Sequence, residues 1–430
     1  MLINESQTCD EVNFSRDASV PPNPSWICVQ LGARDHYVVP LALHRGGSLA
    51  IMLTDAWARG NFWKGFGTLG RTISARWHPG MEAAKIRAPT GQTILRELAF
   101  GFNATPPWSK IQKRNQWFQR WVVGNLRRMY RDGQLRGVTH CFAYSYAAKE
   151  IFEWCHEVGI RCVLGQVDPG PSERTIISDL RARHPEWAEK GEPSEAYWED
   201  WRRELSLADV VVVNSEWSRD RIQSLTDFPE RLAVIPLAYE RAELPHAPAL
   251  SLDNPRSMRV LFLGQVCLRK GIHDLIDAAR LLSNYAITFE IVGEHGNLPP
   301  DLPSNVHFRG KAGRHEVGEY YKNANVFVLP THSDGFALTQ LEAMSHGLPV
   351  VATVNCARLV QNERNGLLFP AGDSSALSAA LLRLHQQPEL RSRLGKEAKR
   401  TARDYSVGQL ARQLQQVEDS ARSTKSDNAC

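Results

Sequence analysis

The chain has 430 residues, too many for one ~150-residue domain, and its 43% hydrophobic and 23% charged content is that of a globular protein rather than a disordered one. No apolar run reaches the ~18 residues that a membrane-spanning helix needs. The net charge is only +4, yet residues 59–136 hold 15 Lys and Arg against three acids (Glu82, Glu97, Asp132), a local +12 that leaves −8 for the rest.

The opening segment, residues 1–24, is polar and lacks the basic-then-apolar order of a secretion signal. Eight cysteines (Cys9, Cys28, Cys141, Cys155, Cys162, Cys267, Cys356, Cys430) are scattered with no C-x-x-C pair and no His at metal spacing. Reduced thiols, a cytoplasmic location and no metal site are the expectation.

In chain order, strand and helix then alternate. Residues 26–31 form a short apolar run followed by Gly32, and 36–44 continue with helical spacing. Residues 49–54 read as a second strand. Beyond the basic stretch come strands at 138–144, 161–167 and 209–214. The last, DVVVVN, is almost wholly β-branched, as suits a strand buried on both faces. Helices at 146–158 and 216–225 separate them. This alternation predicts a parallel sheet covered by helices on both faces.

Near residue 235 the rhythm breaks. Pro236, Pro245, Pro248 and Pro255 fall within twenty residues, which marks a linker. Strands then recur at 259–263, 287–292, 306–308, 326–329 and 350–352, with a helix at 271–282, and the charged residues 374–421 read as helical. The predicted architecture is therefore α/β, with two Rossmann-like doubly wound domains facing across a cleft. The N-terminal one covers 1–240, a linker covers 241–257, the C-terminal domain covers 258–405, and a helix and tail cover 406–430. A ligand belongs in that cleft.

The segment 329–353, LPTHSDGFALTQLEAMSHGLPVVAT, carries the most chemistry. It reads strand, loop, helix, tight turn, strand. The loop ends at Asp334-Gly335, and Phe336 or Ala337 opens the helix. Backbone N–H groups of Ala337, Leu338 and Thr339, with the helix dipole, form a phosphate site. Glu342 lies eight residues past Asp334, roughly 6–8 Å along the helix at ~1.5 Å per residue. There it can accept hydrogen bonds from a vicinal diol such as ribose, while Asp334 can bind hydroxyls on the other side of the phosphate. The competing reading makes Asp334 a helix cap and Glu342 a solvated helix residue.

A second element, 261–271 (LFLGQVCLRKG), reads as a strand, a Gly turn and Arg269-Lys270-Gly271 at a helix start. Lys270 is placed to neutralise a diphosphate, although basic charge there opposes the helix dipole.

Three features, in order, resemble the family 4 (group 1) retaining glycosyltransferases of GT-B fold. Gly264-x5-Lys270-Gly271 is similar to that family's phosphate-binding G-R-x4-K-G. Asp334-Gly335-Phe336 through Glu342-Ala343-Met344, followed by Gly347 and Pro349-Val350-Val351, is similar to its E-x7-E signature and the turn after it. Asn365-Gly366 with 367–370 resembles the step beyond. In the N-terminal half the likeness is weaker: Gly32 with His36 resembles an acceptor-side glycine loop, and Asn214-Ser215-Glu216 with Ile235-Pro236 that domain's end. Three positions depart from the family: Gln265 stands for the usual Arg, Asp334 for the usual Glu, and Leu31 for the first glycine of the acceptor-side loop, leaving only Gly32.

The resemblance implies transfer of a sugar, with retained anomeric configuration, from a nucleotide-diphosphate sugar to a polysaccharide, lipid-linked or other glycan acceptor, with no cofactor or metal. Lys270 would contact the diphosphate, Glu342 the ribose and Asp334 the donor sugar. Gly264, Gln265, Arg269, Gly335, Phe336, Ala337, Leu338 and Thr339 would complete the donor site. An Arg269 turned inward would compensate for Gln265; one facing solvent would not. Asp168, in the strand-end loop 166–170, is the first candidate for a protein base, with a plain Asp-Pro-Gly turn as the alternative. His36 and His140 are weaker candidates, each readable as a packing histidine. A nucleotide-sugar epimerase and a non-catalytic nucleotide-sugar-binding subunit are the alternative functions.

The basic stretch 59–136 interleaves its charges with aromatic residues. Over 109–131, Ile111, Phe118, Trp121, Val122, Leu126 and Met129 recur at helical steps while Lys110, Lys113, Arg114, Arg127, Arg128 and Arg131 decorate other faces. Such a helix can lie peripherally on an anionic membrane or meet a negatively charged acceptor. It can equally face the core with a solvated basic side. No nucleic-acid reader motif accompanies the charge, so nucleic acid is not expected as a partner.

Overall fold

The computed structural model describes residues 25–58, 73, 76–101, 107–187, 191–240, 257–295, 298 and 301–427. Most of the linker and part of the basic stretch, 59–72 and 102–106 among them, lie outside the described residues. Two all-parallel sheets form the frame. The first holds β1 (Trp26–Gln30), β2 (Leu49–Thr54), β3 (Ile86–Arg87), β4 (His140–Tyr144), β5 (Arg161–Gln166), β6 (Val210–Val213) and β7 (Leu232–Val234), in the spatial order β3-β2-β1-β4-β5-β6-β7. The second holds β8 (Met258–Leu263), β9 (Ile287–Val292), β10 (Val306–Gly310), β11 (Val326–Leu329), β12 (Val350–Ala352) and β13 (Gly366–Leu368), in the order β10-β9-β8-β11-β12-β13. In each sheet the order reverses beside the first strand, so the crevice for a ligand opens there.

β1, β4 and β11 are buried along their whole length, which explains their largely apolar character. The helix Pro107–Arg131 places Phe118, Val122, Leu126 and Met129 in the core of the first domain, each at most 1% exposed. Their burial contributes about 1.5–3 kcal/mol per side chain. The apolar stripe of this helix packs inward while Arg127, Arg128 and Arg131 stay exposed.

The last helix, Val407–Asp427, packs on the N-terminal helix Val38–Arg45 through Val407, Leu410 and Leu414. Tyr239 N also donates to Tyr405 O at 3.0 Å, and Arg45 Nη1 to Glu240 Oε1 at 2.7 Å. The chain's end thus returns to the first sheet.

Three short strands escaped the sequence reading: β3, β7 and β13 have two or three residues each, too few for a period to show. The helix expected over 36–44 begins only at Val38. Ahead of it Asp35, His36 and Tyr37 adopt φ of 47°, 56° and 63°. Left-handed backbone costs roughly 1–2 kcal/mol per non-glycine residue, and such strain gathers at functional loops. Full burial of Tyr37 helps to hold the loop in place.

Candidate functional site

The residues expected to hold a donor come together where β8 and β11 end side by side. After Leu263 the chain passes the exposed Gln265 and makes a tight turn, Leu268–Lys270. Gly271 follows with φ of 70°, and a Cβ on it would lie 1.9 Å from Pro330 O. Only glycine allows this approach, which presses the Lys270 turn against the loop that follows β11.

There the Lys270 ammonium pairs with Asp334 Oδ2. The two residues, expected to hold separate parts of one ligand, are direct partners. Arg269 also points inward. Its Nη1 donates to Ser333 O at 2.7 Å and lies 3.8 Å from Glu173 Oε1 and 4.0 Å from Asp334 Oδ1. The cation thus stands beside the pair. Burial, then the neighbouring Arg269 charge, brings the Lys270 ammonium down to about 7.

Glu173 was not foreseen. It opens the helix Ser172–Arg183 of the first domain, accepts from Ser333 Oγ at 2.6 Å, and has its carboxyl raised chiefly by burial. An acid in a first helical turn, one loop past Asp168, was the only trace it left in the sequence.

The helix after the loop spans Leu338–Ser345, slightly later than expected, with Ala337 as a left-handed cap at φ 57°. Phe336 and Ala337 are buried, whereas Leu338 and Thr339 are half-buried. First-turn N–H groups have no acceptor within the helix, which leaves those of Leu338 and Thr339 for a ligand. Gly335 is the contact point between domains. A Cβ on it would lie 2.1 Å from Val167 O, the carbonyl just before Asp168. Ser215 Oγ donates to Gly335 O while accepting from Ser218 N at 3.1 Å, so one hydroxyl caps a helix of the first domain and binds the loop of the second.

Glu342 sits one turn into the helix, 6% exposed. Its Oε2 accepts from the Tyr321 hydroxyl at 2.8 Å, and its Oε1 lies 3.2 Å from His36 Nε2. Burial, then the Glu342 charge, raises the Tyr321 hydroxyl well above its ordinary value. Tyr321 left no signal in the sequence, since it lies in the otherwise polar helix Arg314–Lys322.

On the N-terminal side, Gly32 N donates to Asp55 Oδ1 at 2.9 Å, and Asp55 pairs with Arg76. With Arg34, Arg114, Tyr144 and Tyr146 these residues line a cavity of about 120 Å³. Asp168 Oδ1 accepts from the Tyr146 hydroxyl at 2.6 Å, Gln166 Nε2 at 3.2 Å and Gly170 N at 2.9 Å. The turn reading of Asp168 is therefore satisfied at one oxygen. His140 is buried and stacks on Trp26 at 4.7 Å, as a packing histidine does. Six cysteines, Cys28, Cys141, Cys155, Cys162, Cys267 and Cys356, are buried free thiols. Among the described residues no helix is long and apolar enough to cross a membrane.

Residues 257–387 match the family model for group 1 glycosyl transferases. A putative colanic acid biosynthesis glycosyltransferase, WcaL of Salmonella typhimurium, is 25% identical over 242 residues, which span 51% of this chain and 58% of the relative. The chain thus spans little more than half of that relative's length. Among solved structures, sucrose-phosphate synthase from Thermosynechococcus elongatus superposes with a TM-score of 0.63 at 18% identity, covering 93% of this chain and 100% of that one. HepE of Anabaena, solved with UDP and glucose, gives 0.59 at 15% identity over 93% of this chain and 100% of its own. These likenesses establish the two-domain GT-B fold.

Proposed function

From a C-terminal domain that belongs to the group 1 glycosyltransferases, set in a GT-B frame, we propose that the chain is a retaining glycosyltransferase using a nucleotide-diphosphate sugar. The observation that carries the reading is the Lys270–Asp334 pair, with Arg269 beside it and Glu342 eight residues further, facing the other domain across the crevice.

A diphosphate entering the crevice meets Lys270, Arg269 and the first N–H groups of the helix Leu338–Ser345. Each interacts more strongly with the departing nucleotide, where charge develops, than with the intact donor. Lys270, released from Asp334 by the phosphate, frees that carboxylate to accept hydroxyls of the sugar. Glu342 accepts from the ribose diol, held in orientation by Tyr321. The acceptor hydroxyl attacks the face from which the nucleotide leaves, and the leaving phosphate oxygen takes its proton. Asp168, with one oxygen occupied by three donors, orients the acceptor through the other.

The cavity beside Gly32 suits the acceptor, and its arginines favour an anionic glycan or lipid-linked diphosphate. The relative WcaL is named for polysaccharide assembly and the neighbour HepE was solved with UDP and glucose, in keeping with this reading. The exposed arginines of the helix Pro107–Arg131 favour a peripheral position on an anionic membrane at the cytoplasmic face. Arg269, turned into the site, removes the main motive for a non-catalytic subunit.

The test is transfer itself. Nucleotide release from a donor sugar should depend on an added polyprenyl-diphosphate glycan, and NMR should find the donor's anomeric configuration in the product. Release without acceptor dependence, or an inverted product, overturns the mechanism. Failure to co-sediment with anionic liposomes at low salt overturns the membrane assignment.

A further inference from the structure

Behind the donor loop lies a cluster that the transfer reaction leaves unused. His273 and Asp274 follow Lys270-Gly271 on the helix Ile272–Leu281, and His332 immediately precedes Ser333 and Asp334. All three are buried. Each oxygen of Asp274 faces one imidazole: Oδ2 lies 2.7 Å from His332 Nε2, and Oδ1 lies 3.5 Å from His273 Nε2. The two rings stack at 5.2 Å with an interplanar angle of 16°. His273 is only 4% exposed, yet its Nδ1 has no hydrogen-bond partner among the described residues. A buried imidazole is ordinarily satisfied, so this one awaits a partner.

One ligand atom from each of the three residues can be chosen so that all lie within 4.8 Å of one another. Ligands of one ion with ~2 Å bonds lie at most ~4 Å apart, so a small side-chain movement draws these three around it. Two imidazoles and a carboxylate are the donor set of zinc-class ions rather than of calcium or magnesium, which prefer oxygen. A third imidazole stands over the cluster from the other domain. The ring of His184, just past the helix Ser172–Arg183, lies 4.1 Å from that of His273. Its side chain is 27% exposed, so the site has an outer wall that touches solvent.

A second cluster, His156, Cys162 and Asp209, has similar spacing. Its groups are already engaged: His156 Nε2 bonds Leu207 O at 2.8 Å, and Asp209 Oδ2 accepts from Cys162 N at 2.7 Å. In the first cluster His332 Nε2 and Asp274 Oδ2 engage only each other, at 2.7 Å, so both are ligands an ion would take, and His273 keeps an unpartnered Nδ1 among the described residues.

We propose that His273, His332 and Asp274 bind a divalent ion of the zinc class, closed over by His184 of the other domain. The ion is structural. It fixes His332, directly before Ser333, and His273, two residues after Gly271, and so sets the geometry of the Lys270–Asp334 pair. This assignment stands or falls independently of the sugar-transfer reading.

The test uses the full untagged chain, stripped with a chelator and titrated with Co²⁺ under visible spectroscopy, then with Zn²⁺ against a chromophoric chelator. The proposal predicts one equivalent of Co²⁺ with ligand-field bands, displaced by Zn²⁺. His332→Gln and His273→Gln should each weaken binding at least tenfold, whereas His156→Ala should bind as the parent does. Circular dichroism identifies any variant that fails to fold, and the other glutamine variant then decides. No stoichiometric binding by the parent, or binding lost in His156→Ala and kept in the glutamine variants, overturns it.

Discussion

His36 Nε2 and Glu342 Oε1 lie 3.2 Å apart although 306 residues separate them in sequence. One stands on a left-handed loop of the first domain, the other on the helix that follows the donor loop of the second. The contact couples closure of the domains to the carboxylate assigned to the ribose. Hydrogen bonds to a charged group contribute about 1.5–3 kcal/mol. Glu342→Gln should therefore weaken nucleoside diphosphate binding about tenfold or more by calorimetry, with little change in thermal stability because Gln still accepts from Tyr321. Parent-like affinity would remove Glu342 from the nucleotide site.

Lys270 should make nucleotide binding depend on pH. Its ammonium is held at about 7, chiefly by burial and then by Arg269. The free protein is partly charged there at neutral pH and largely neutral near pH 9, while a bound diphosphate favours the charged form. Binding then takes up a proton, and affinity should fall between about pH 7 and pH 9, by up to about tenfold per unit. Lys270→Arg stays charged throughout and should lose that slope. Calorimetry across this range, in buffers of different ionisation enthalpy, measures both the slope and the proton uptake.

Gly335→Ala should separate binding from turnover. The added Cβ would meet Val167 O at 2.1 Å, a backbone atom that cannot swing away. The loop and the first domain must move apart, breaking the Ser215 contact. A precise donor–acceptor geometry is worth on the order of a hundredfold in rate per ångström. Transfer should drop by roughly that factor while nucleotide affinity falls far less. Unchanged turnover would show that the closed arrangement is not the active one.

The domains and the donor loop were legible because they rest on local signals: β-branched runs for buried parallel strands, and Asp334 and Glu342 at a spacing a helix converts into a fixed separation. Partners from other elements were not legible. Glu173 and Ser215 reach the site from the first domain and Tyr321 from another helix of the second, and no periodicity links them to Lys270 or Glu342. Arg269 shows the same limit from the other side. Its place beside a glycine turn was visible, but its inward direction depends on Ser333 and Glu173. The helix Pro107–Arg131 was ambiguous because an amphipathic stripe looks alike whether it faces a core or a membrane.

Stability of the first domain should rest on Glu204. Its carboxylate, 1% exposed, accepts from Tyr146 N at 2.6 Å, Ala148 N at 2.7 Å and Lys149 N at 3.3 Å, capping the helix Lys149–Glu157. Glu204→Ala strands these buried donors and should cost about 3 kcal/mol, lowering Tm by roughly 5–10 °C. Burial raises the Glu204 carboxyl from 4.5 to about 7 despite those bonds. A folded-state value above the unfolded one means that its contribution is complete below about pH 4.5 and declines as pH rises to about 7. Calorimetric scans across that window should show the decline in the parent and a flatter profile in Glu204→Gln.

The account turns on a nucleotide sugar held by Lys270 and Glu342. Thermal unfolding of the full chain with UDP-, GDP- and ADP-sugars, repeated on Lys270→Ala and Glu342→Ala, measures this directly. At least one donor should raise Tm in the parent, and both variants should lose the shift. No shift with any donor, or equal shifts in the parent and both variants, would contradict the account.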